Sequence, residues 1–263
     1  MVARETSIRS WLEAQGVFPI PPDAPERLKK LTDLLETEGV SRGIIGPNEK
    51  SRLLARHVLE SCALLRFVGD EGLLVDVGSG AGLPGLPLAS IRRSPVTMIE
   101  SQARRAAFIR YTIAELALES AEVLHARAED AARGELRETA SAVVARALAA
   151  PAVALELCLP FARVGGVVVI PVGGSRGPEA NDMRGAAEPS GAGRSGAGTL
   201  ARVAAELGGG EPRWEPMGRP TSQRSIGILG PNESRLVLVV PKLEPTAERY
   251  PRRVGVPSRR PLG

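Results

Sequence analysis

Histidine, cysteine and aromatic residues are scarce in this chain of 263 residues, which has two His, two Cys and 3% Phe, Trp and Tyr combined. Cys62 and Cys158 stand alone, with neither a C-x-x-C spacing nor a histidine at ligand spacing. That argues against a structural zinc site, leaves no metal expected, and fits a reduced, cytoplasmic protein. Long apolar runs are missing too. The most apolar long window, residues 142–162, is interrupted by Arg146, Glu156 and two prolines, so it reads as a strand followed by a buried helix and no membrane partner is expected. The opening residues MVARETSIRSWLEAQ lack an apolar stretch, and no secretory signal is expected from them. Lysine occurs only as Lys29, Lys30, Lys50 and Lys242, so arginine carries most of the basic balance. A formal charge of +4 and a pI near 9.5 lean modestly towards an anionic partner.

With 43% apolar and 24% charged residues, the chain has the composition of a globular α/β domain with additions. Its first seventy residues read as a helical cap. PERLKKLTDLLETEG sets Leu28, Leu31, Leu34 and Leu35 on one helix face with Gly39 as a stop. A second helix, with Asn48 as candidate cap, aligns Leu54, Val58, Cys62 and Leu65. From residue 73 short apolar runs alternate with helical stretches, giving candidate strands at 73–77, 96–100, 122–126, 142–146 and 166–170. The helix between the second and third is the clearest, with Ile109, Ile113 and Leu116 sharing a face. That alternation predicts a parallel sheet with right-handed crossovers. Residues 173–198 are too rich in Gly, Ala, Ser and Arg to bury a face and read as a flexible insertion. After a helix at 202–208, SIGIL and RLVLVV flank the turn GPNES, which predicts a closing antiparallel hairpin. The domain reading is therefore a cap over 1–70, a main domain over 71–242 and a basic tail over 243–263.

The stretch LLVDVGSGAGLPGLPLAS, 73–90, can be parsed in two ways. Gly80, Gly82 and Gly85 match the G-x-G-x-x-G of a dinucleotide loop, whereas Gly78, Gly80 and Gly82 match the G-x-G-x-G of an S-adenosylmethionine loop. Glu100 closes the second strand at the distance where a carboxylate accepts ribose hydroxyls, and both readings need it. Asp76 separates them. A carboxylate just ahead of the loop repels a pyrophosphate and favours the sulfonium and ammonium of S-adenosylmethionine. Pro84 removes an amide that a pyrophosphate would use. Gly85 is then a packing glycine at the start of the next helix.

In RAED, after the third strand, the amide of Ala128 and the carboxylate of Glu129 can read an adenine edge, or can simply begin a helix with favourable acidic residues. Arg146 ends the fourth strand and is directed to the ligand crevice, where a methionine carboxylate or a substrate phosphate is its expected partner. His57 reads as a partly buried packing residue, and His125 has even less claim to chemistry. The ending AERYPRRVGVPSRRPLG gathers Arg249, Arg252, Arg253, Arg259 and Arg260 around prolines, as an extended basic strap for RNA phosphates or as a solvated charge run.

DVGSGAGLPGLPLA, IESQARRAAFIR, RAED, VVARALA, the ending YPRRVGVPSRRPL and the earlier RHVLESC together resemble the small-subunit ribosomal RNA methyltransferase G family, also called the glucose-inhibited division protein B family. The likeness runs through most of the chain outside the insertion. It departs from the family pattern at SRGIIG, at Glu60 in place of the usual Asp, and at Pro171 in place of a common Lys. The resemblance implies an α/β, seven-stranded Rossmann-like S-adenosylmethionine-dependent methyltransferase fold. It implies methyl transfer to N7 of a loop guanine in 16S ribosomal RNA, with free RNA or the small ribosomal subunit as partner; a monomer is expected. It also implies cofactor contacts at Gly78, Leu83, Ala128, Glu129 and Arg146, beside Gly80, Gly82 and Glu100 from the loop reading. Guanine N7 carries a lone pair and no proton, so no catalytic base is expected. A nicotinamide-dependent oxidoreductase and a catalytically silent ribosome assembly factor are the alternatives.

Overall fold

The computed structural model describes residues 2–17, 19–172, 192–217 and 236–263. Helices α1 (Val2–Ala14) and α2 (Ala24–Leu34) open the chain. The short helices α3 (Glu60–Cys62) and α4 (Leu65–Val68) lead into the sheet. Strands β1 (Leu74–Val77), β2 (Val96–Glu100), β3 (Ala121–His125), β4 (Ala140–Val144) and β5 (Ala162–Val172) follow, alternating with α5 (Gly85–Ala89), α6 (Ala103–Glu115), α7 (Ala128–Ala131) and α8 (Pro151–Cys158). Then come α9 (Ala192–Glu206), β6 (Arg213–Pro216), β7 (Leu236–Pro241) and α10 (Val256–Arg259).

Among the described residues the strands form one seven-stranded sheet in the order β3-β2-β1-β4-β5-β7-β6. Pairings among β1 to β5 are parallel, and β7 runs antiparallel to both β5 and β6. The expected seven strands with an antiparallel finish are present. The partner of β7 is Arg213–Pro216, which the sequence reading missed; SIGIL lies outside the described residues. RWEP is short, polar and closed by proline, as an edge strand with one free side can be. Of the expected insertion, 173–191 lie outside the described residues and 192–198 form the start of α9.

Strand alternation divides the core in two. Leu74, Val96, Met98, Ala142 and Val144 pack on one face with Ile8, Trp11, Leu28, Leu31 and Leu59, so the N-terminal helices share their core with the sheet. Val75, Val77, Ile99, Val143 and Val168 pack on the other with Leu155, Phe161, Val203 and Tyr250 from α8, α9 and the C-terminal segment. Side chains of successive strand residues point to opposite faces, so a strand covered on both sides is mostly apolar, and polar residues within it need internal partners. Every residue of β1 and β2 is buried.

Three local expectations are corrected. The α2 helix does not stop at Gly39 but continues through a π-helical turn, Leu35–Gly39, and Gly43 with φ 62° reverses the chain. Gly46, not Asn48, caps the next helical segment, and no side chain caps it. That segment passes into a π-helix over Leu53–Leu59, whose wider winding buries Leu53 with Val58 and Cys62 and leaves Leu54 only half-buried.

The segment after β7 is no extended strap. Tyr250, Pro251 and Pro257 are buried, and α10 forms within it. Arg252 is drawn inward by Glu156 of α8, whose carboxylate is fully buried. Glu156 accepts from the Arg252 backbone amide at 3.0 Å, from Nε at 2.8 Å and from Nη2 at 2.5 Å. Two forked donors on one carboxylate offset its desolvation as a single ammonium would not. Replacing Arg252 by Ala leaves that charge buried with only a backbone amide and is expected to destabilise the fold by about 3–5 kcal/mol. The double change Glu156→Leu with Arg252→Leu should recover most of the loss, as read from urea unfolding midpoints.

Candidate active site

Strand order reverses at β1, which lies between β2 and β4, and such a reversal opens a crevice at the carboxyl ends of the strands. The loop from β1 to α5 fills that position. Gly78, Gly80 and Gly82 have φ of 72°, 59° and 83°, which residues with a Cβ rarely adopt. A Cβ on Gly78 would stand 2.5 Å from Leu148 Cδ1, and one on Gly82 would overlap Leu86. The space beside Gly80 is open, with no atom nearer than 4.0 Å to a Cβ built there. Gly85 begins α5, and its Cβ would meet Met98 Cγ at 2.5 Å and Asp76 Oδ2 at 2.7 Å. Two glycine roles are thus distinct: three shape the turn, and Gly85 lets helix meet strand.

Two buried carboxylates hold the loop. Asp76 Oδ2 accepts the Gly85 amide at 2.9 Å, while Glu100 accepts the Gly80 amide on Oε2 at 2.8 Å and the Gln102 amide on Oε1 at 2.7 Å. Asp76 Oδ1 is buried without a hydrogen-bond partner, a high-cost arrangement for a charged oxygen. Burial pushes the Asp76 carboxyl up to about 7, against the lowering effect of its hydrogen bonds.

Leu83 is half-buried at the turn into α5. Gly78, Ala128 and Glu129 line a cavity of 260 Å³, with Ile99, Leu148 and Leu157 as apolar walls and Val254, Gly255 and Ser258 from the C-terminal segment. Glu129 Oε1 accepts the Gly255 amide at 3.0 Å. The three C-terminal lining residues were missed in the sequence. A signal for the fold back was present in Glu156, an acid within an apolar helix that requires a cationic partner, and in the arginine-rich ending.

Arg146 is not among the lining residues of this cavity. Its guanidinium holds the helical segment before α3. Nη1 donates to His57 O at 3.3 Å and Ser61 Oγ at 3.4 Å, and Nη2 donates to Arg56 O at 3.0 Å and His57 Nδ1 at 3.1 Å. Glu60, almost fully buried, has its Oε2 3.9 Å from Nη2. With Nδ1 accepting, His57 carries its proton on Nε2 and donates to Glu49 Oε2 at 2.9 Å, a bond that holds the Glu49 carboxyl below its ordinary value. His57, partly buried as expected, is therefore also a polar bridge. His125 is exposed, with Nε2 3.2 Å from Ser101 O.

Among the expected RNA contacts, Arg253, Arg259 and Arg260 are exposed. Arg249 is exposed beside Glu206 at 3.5 Å, and Arg252 is committed to Glu156. Among the described residues no cluster of metal-ligating side chains occurs, and no helix is long and apolar enough to cross a membrane.

The raised Asp76 value has a definite pH signature. Between the unfolded value of 3.8 and the folded value near 7 the native state binds the extra proton, so the stability contributed by this group is full below 3.8 and lost as pH rises to about 7. In calorimetric melting, Asp76→Asn should gain on the wild type across that window and hold a constant advantage above it. A constant difference from about pH 4 to 8 would contradict the buried carboxyl's raised value.

The family model described as rRNA small subunit methyltransferase G matches residues 24–193. A ribosomal RNA small subunit methyltransferase G of Rubrobacter xylanophilus is 36% identical over 266 aligned residues, 99% of this chain and 91% of its own length. The protein of the same name from Roseiflexus sp. is 38% identical, with 81% of each chain covered. A solved geranyl diphosphate methyltransferase in complex with SAM is 15% identical at a TM-score of 0.50, covering 78% of this chain and 95% of that one, and it shares the fold. With the glycine loop at a strand-order reversal and two buried acids behind it, the match across most of its length shows that this chain belongs to the rRNA small subunit methyltransferase G family.

Proposed function

We propose that the protein transfers a methyl group from S-adenosylmethionine to N7 of a loop guanine in 16S ribosomal RNA. The observation that carries the reading is the fully buried Asp76, whose Oδ1 has no hydrogen-bond partner, on the strand that feeds a glycine loop with open space at Gly80. A cation is the ligand that such an oxygen favours, and a pyrophosphate is the ligand it repels. The cosubstrate supplies an electrophilic methyl on a sulfonium. Gly78, Gly80, Gly82 and Leu83 would give its backbone approach, Glu100 its ribose hydroxyl acceptors, and Ala128 with Glu129 the adenine edge. A carboxylate retains acceptor capacity after taking one amide on each oxygen, so Glu100 can serve both loop and ribose. A cation beside Asp76 favours its ionised form, so cosubstrate affinity should strengthen as pH rises towards about 7.

The nucleophile needs little from the protein. Guanine N7 presents an in-plane lone pair and attacks without losing a proton, so no general base is required. Catalysis rests on alignment and on a site tolerant of the charge that moves to the base. Arg146 contributes by fixing the cap to the end of β4, as a positioning residue. N7 lies on the major-groove edge, which a regular RNA helix closes to side chains, so the target is an unpaired loop. Arg249, Arg253, Arg259 and Arg260 would contact phosphates, and Arg252 would keep the segment that carries them in place. Such a substrate puts the protein in the cytoplasm, where it would act as a monomer.

The test is to incubate the protein with S-adenosylmethionine and either small-subunit RNA or intact small subunits from cells lacking this protein. Borohydride and aniline cleavage then maps N7-methylguanine. One new cleavage site in a loop is the expected outcome, and no new site on either substrate would defeat the reading.

A further inference from the structure

We infer that the C-terminal segment 250–259 is a wall of the cofactor site and fixes the adenosine end of its specificity. The inference rests on the cofactor reading above and extends it to residues that the glycine loop alone would not implicate. Val254, Gly255 and Ser258 share the 260 Å³ cavity with Gly78, Ala128 and Glu129. Their place there is held by ties to both helices that border the cavity.

On the α7 side, the Gly255 amide donates to Glu129 Oε1 at 3.0 Å. Gly255 has φ 75°, so the turn that aims this amide inward suits glycine. Arg133 makes a second tie, donating from Nη1 to Glu129 O at 3.0 Å and from Nη2 to Pro251 O. Arg137 adds a third through Tyr250 O at 2.8 Å and Thr246 O at 2.6 Å. On the α8 side Arg252 grips Glu156, one residue before the lining Leu157.

The consequence for binding is specific. One oxygen of Glu129 is taken by Gly255, which orients the carboxylate of a residue that lines the pocket. The carbonyl of the same residue is fixed by Arg133. Adenine recognition thereby depends on a segment more than a hundred residues further along the chain, about 126 positions from Glu129 to Gly255. A preorganised acceptor binds an exocyclic amine more tightly than one that must be ordered on binding.

The test is isothermal titration of full-length wild type, Arg133→Met and Val254→Trp with S-adenosylhomocysteine and with 5′-methylthioadenosine, which lacks the amino-acid half. Arg133 lies outside the cavity lining and Val254 is 42% exposed, so neither change removes a core side chain. Both variants should lose about tenfold in affinity, in the same proportion for both ligands, as expected for a lost charge-assisted hydrogen bond or an obstructed pocket. Wild-type affinity in both variants would overturn the inference, as would a lowered melting temperature with affinity unchanged. Loss for S-adenosylhomocysteine alone would also overturn it, by placing the segment at the methionine end. Failure of the wild type to bind either ligand would overturn the cofactor reading itself.

Discussion

Two buried carboxylates, Asp76 and Glu100, hold the loop on which the site depends. Each accepts an amide from the glycine-rich turn, Gly85 to Asp76 and Gly80 to Glu100, so the loop is set by acceptors on two adjacent strands. Burying two acids close together carries a desolvation cost, and Glu100 itself acts to raise the Asp76 value. Hydrogen bonds offset that cost for Glu100, whose two oxygens are both paired within the chain. For Asp76 they do so by half, since Oδ1 has none. A buried acid paired on only one oxygen costs the fold stability.

Elsewhere the fold balances buried acids with arginine, and the locations matter. Arg146 ties the carbonyls of the π-helical segment and Glu60 to the end of β4, so the N-terminal cap meets the sheet beside the crevice. Arg252 ties the C-terminal segment to α8 on the opposite face. Arg133 and Arg137 each donate to backbone carbonyls of that same segment. Lysine could not replace them with equal effect, because only the guanidinium holds several acceptors in a fixed plane. The basic composition thus serves the interior margins of the site as well as an outward face.

Much of the sheet was legible because β1, β2 and β4 are short, mostly apolar runs covered on both faces, and β2 falls at the expected residues 96–100. The loop was legible because glycine spacing, Asp76 and Glu100 are local chemistry. What escaped is long-range. RWEP has too little apolar content to announce a strand, and only its pairing with β7 makes it one. Prolines and arginines at the end of the chain look the same whether solvated or folded back, and the deciding partner, Glu156, lies 96 positions away. Arg146 illustrates the same limit: topology brings it to the crevice margin, but its acceptors, two carbonyls with Ser61 Oγ and His57 Nδ1, lie on or just after a π-helical turn that no residue pattern declared.

On these grounds the loop and its buried acids should select a cationic adenosine derivative over a dinucleotide. Equilibrium dialysis of the full-length protein against labelled S-adenosylmethionine and labelled NAD tests it most directly. Saturable retention of S-adenosylmethionine, undiminished by excess NAD, is the predicted result. Retention of NAD with none of S-adenosylmethionine would contradict the account.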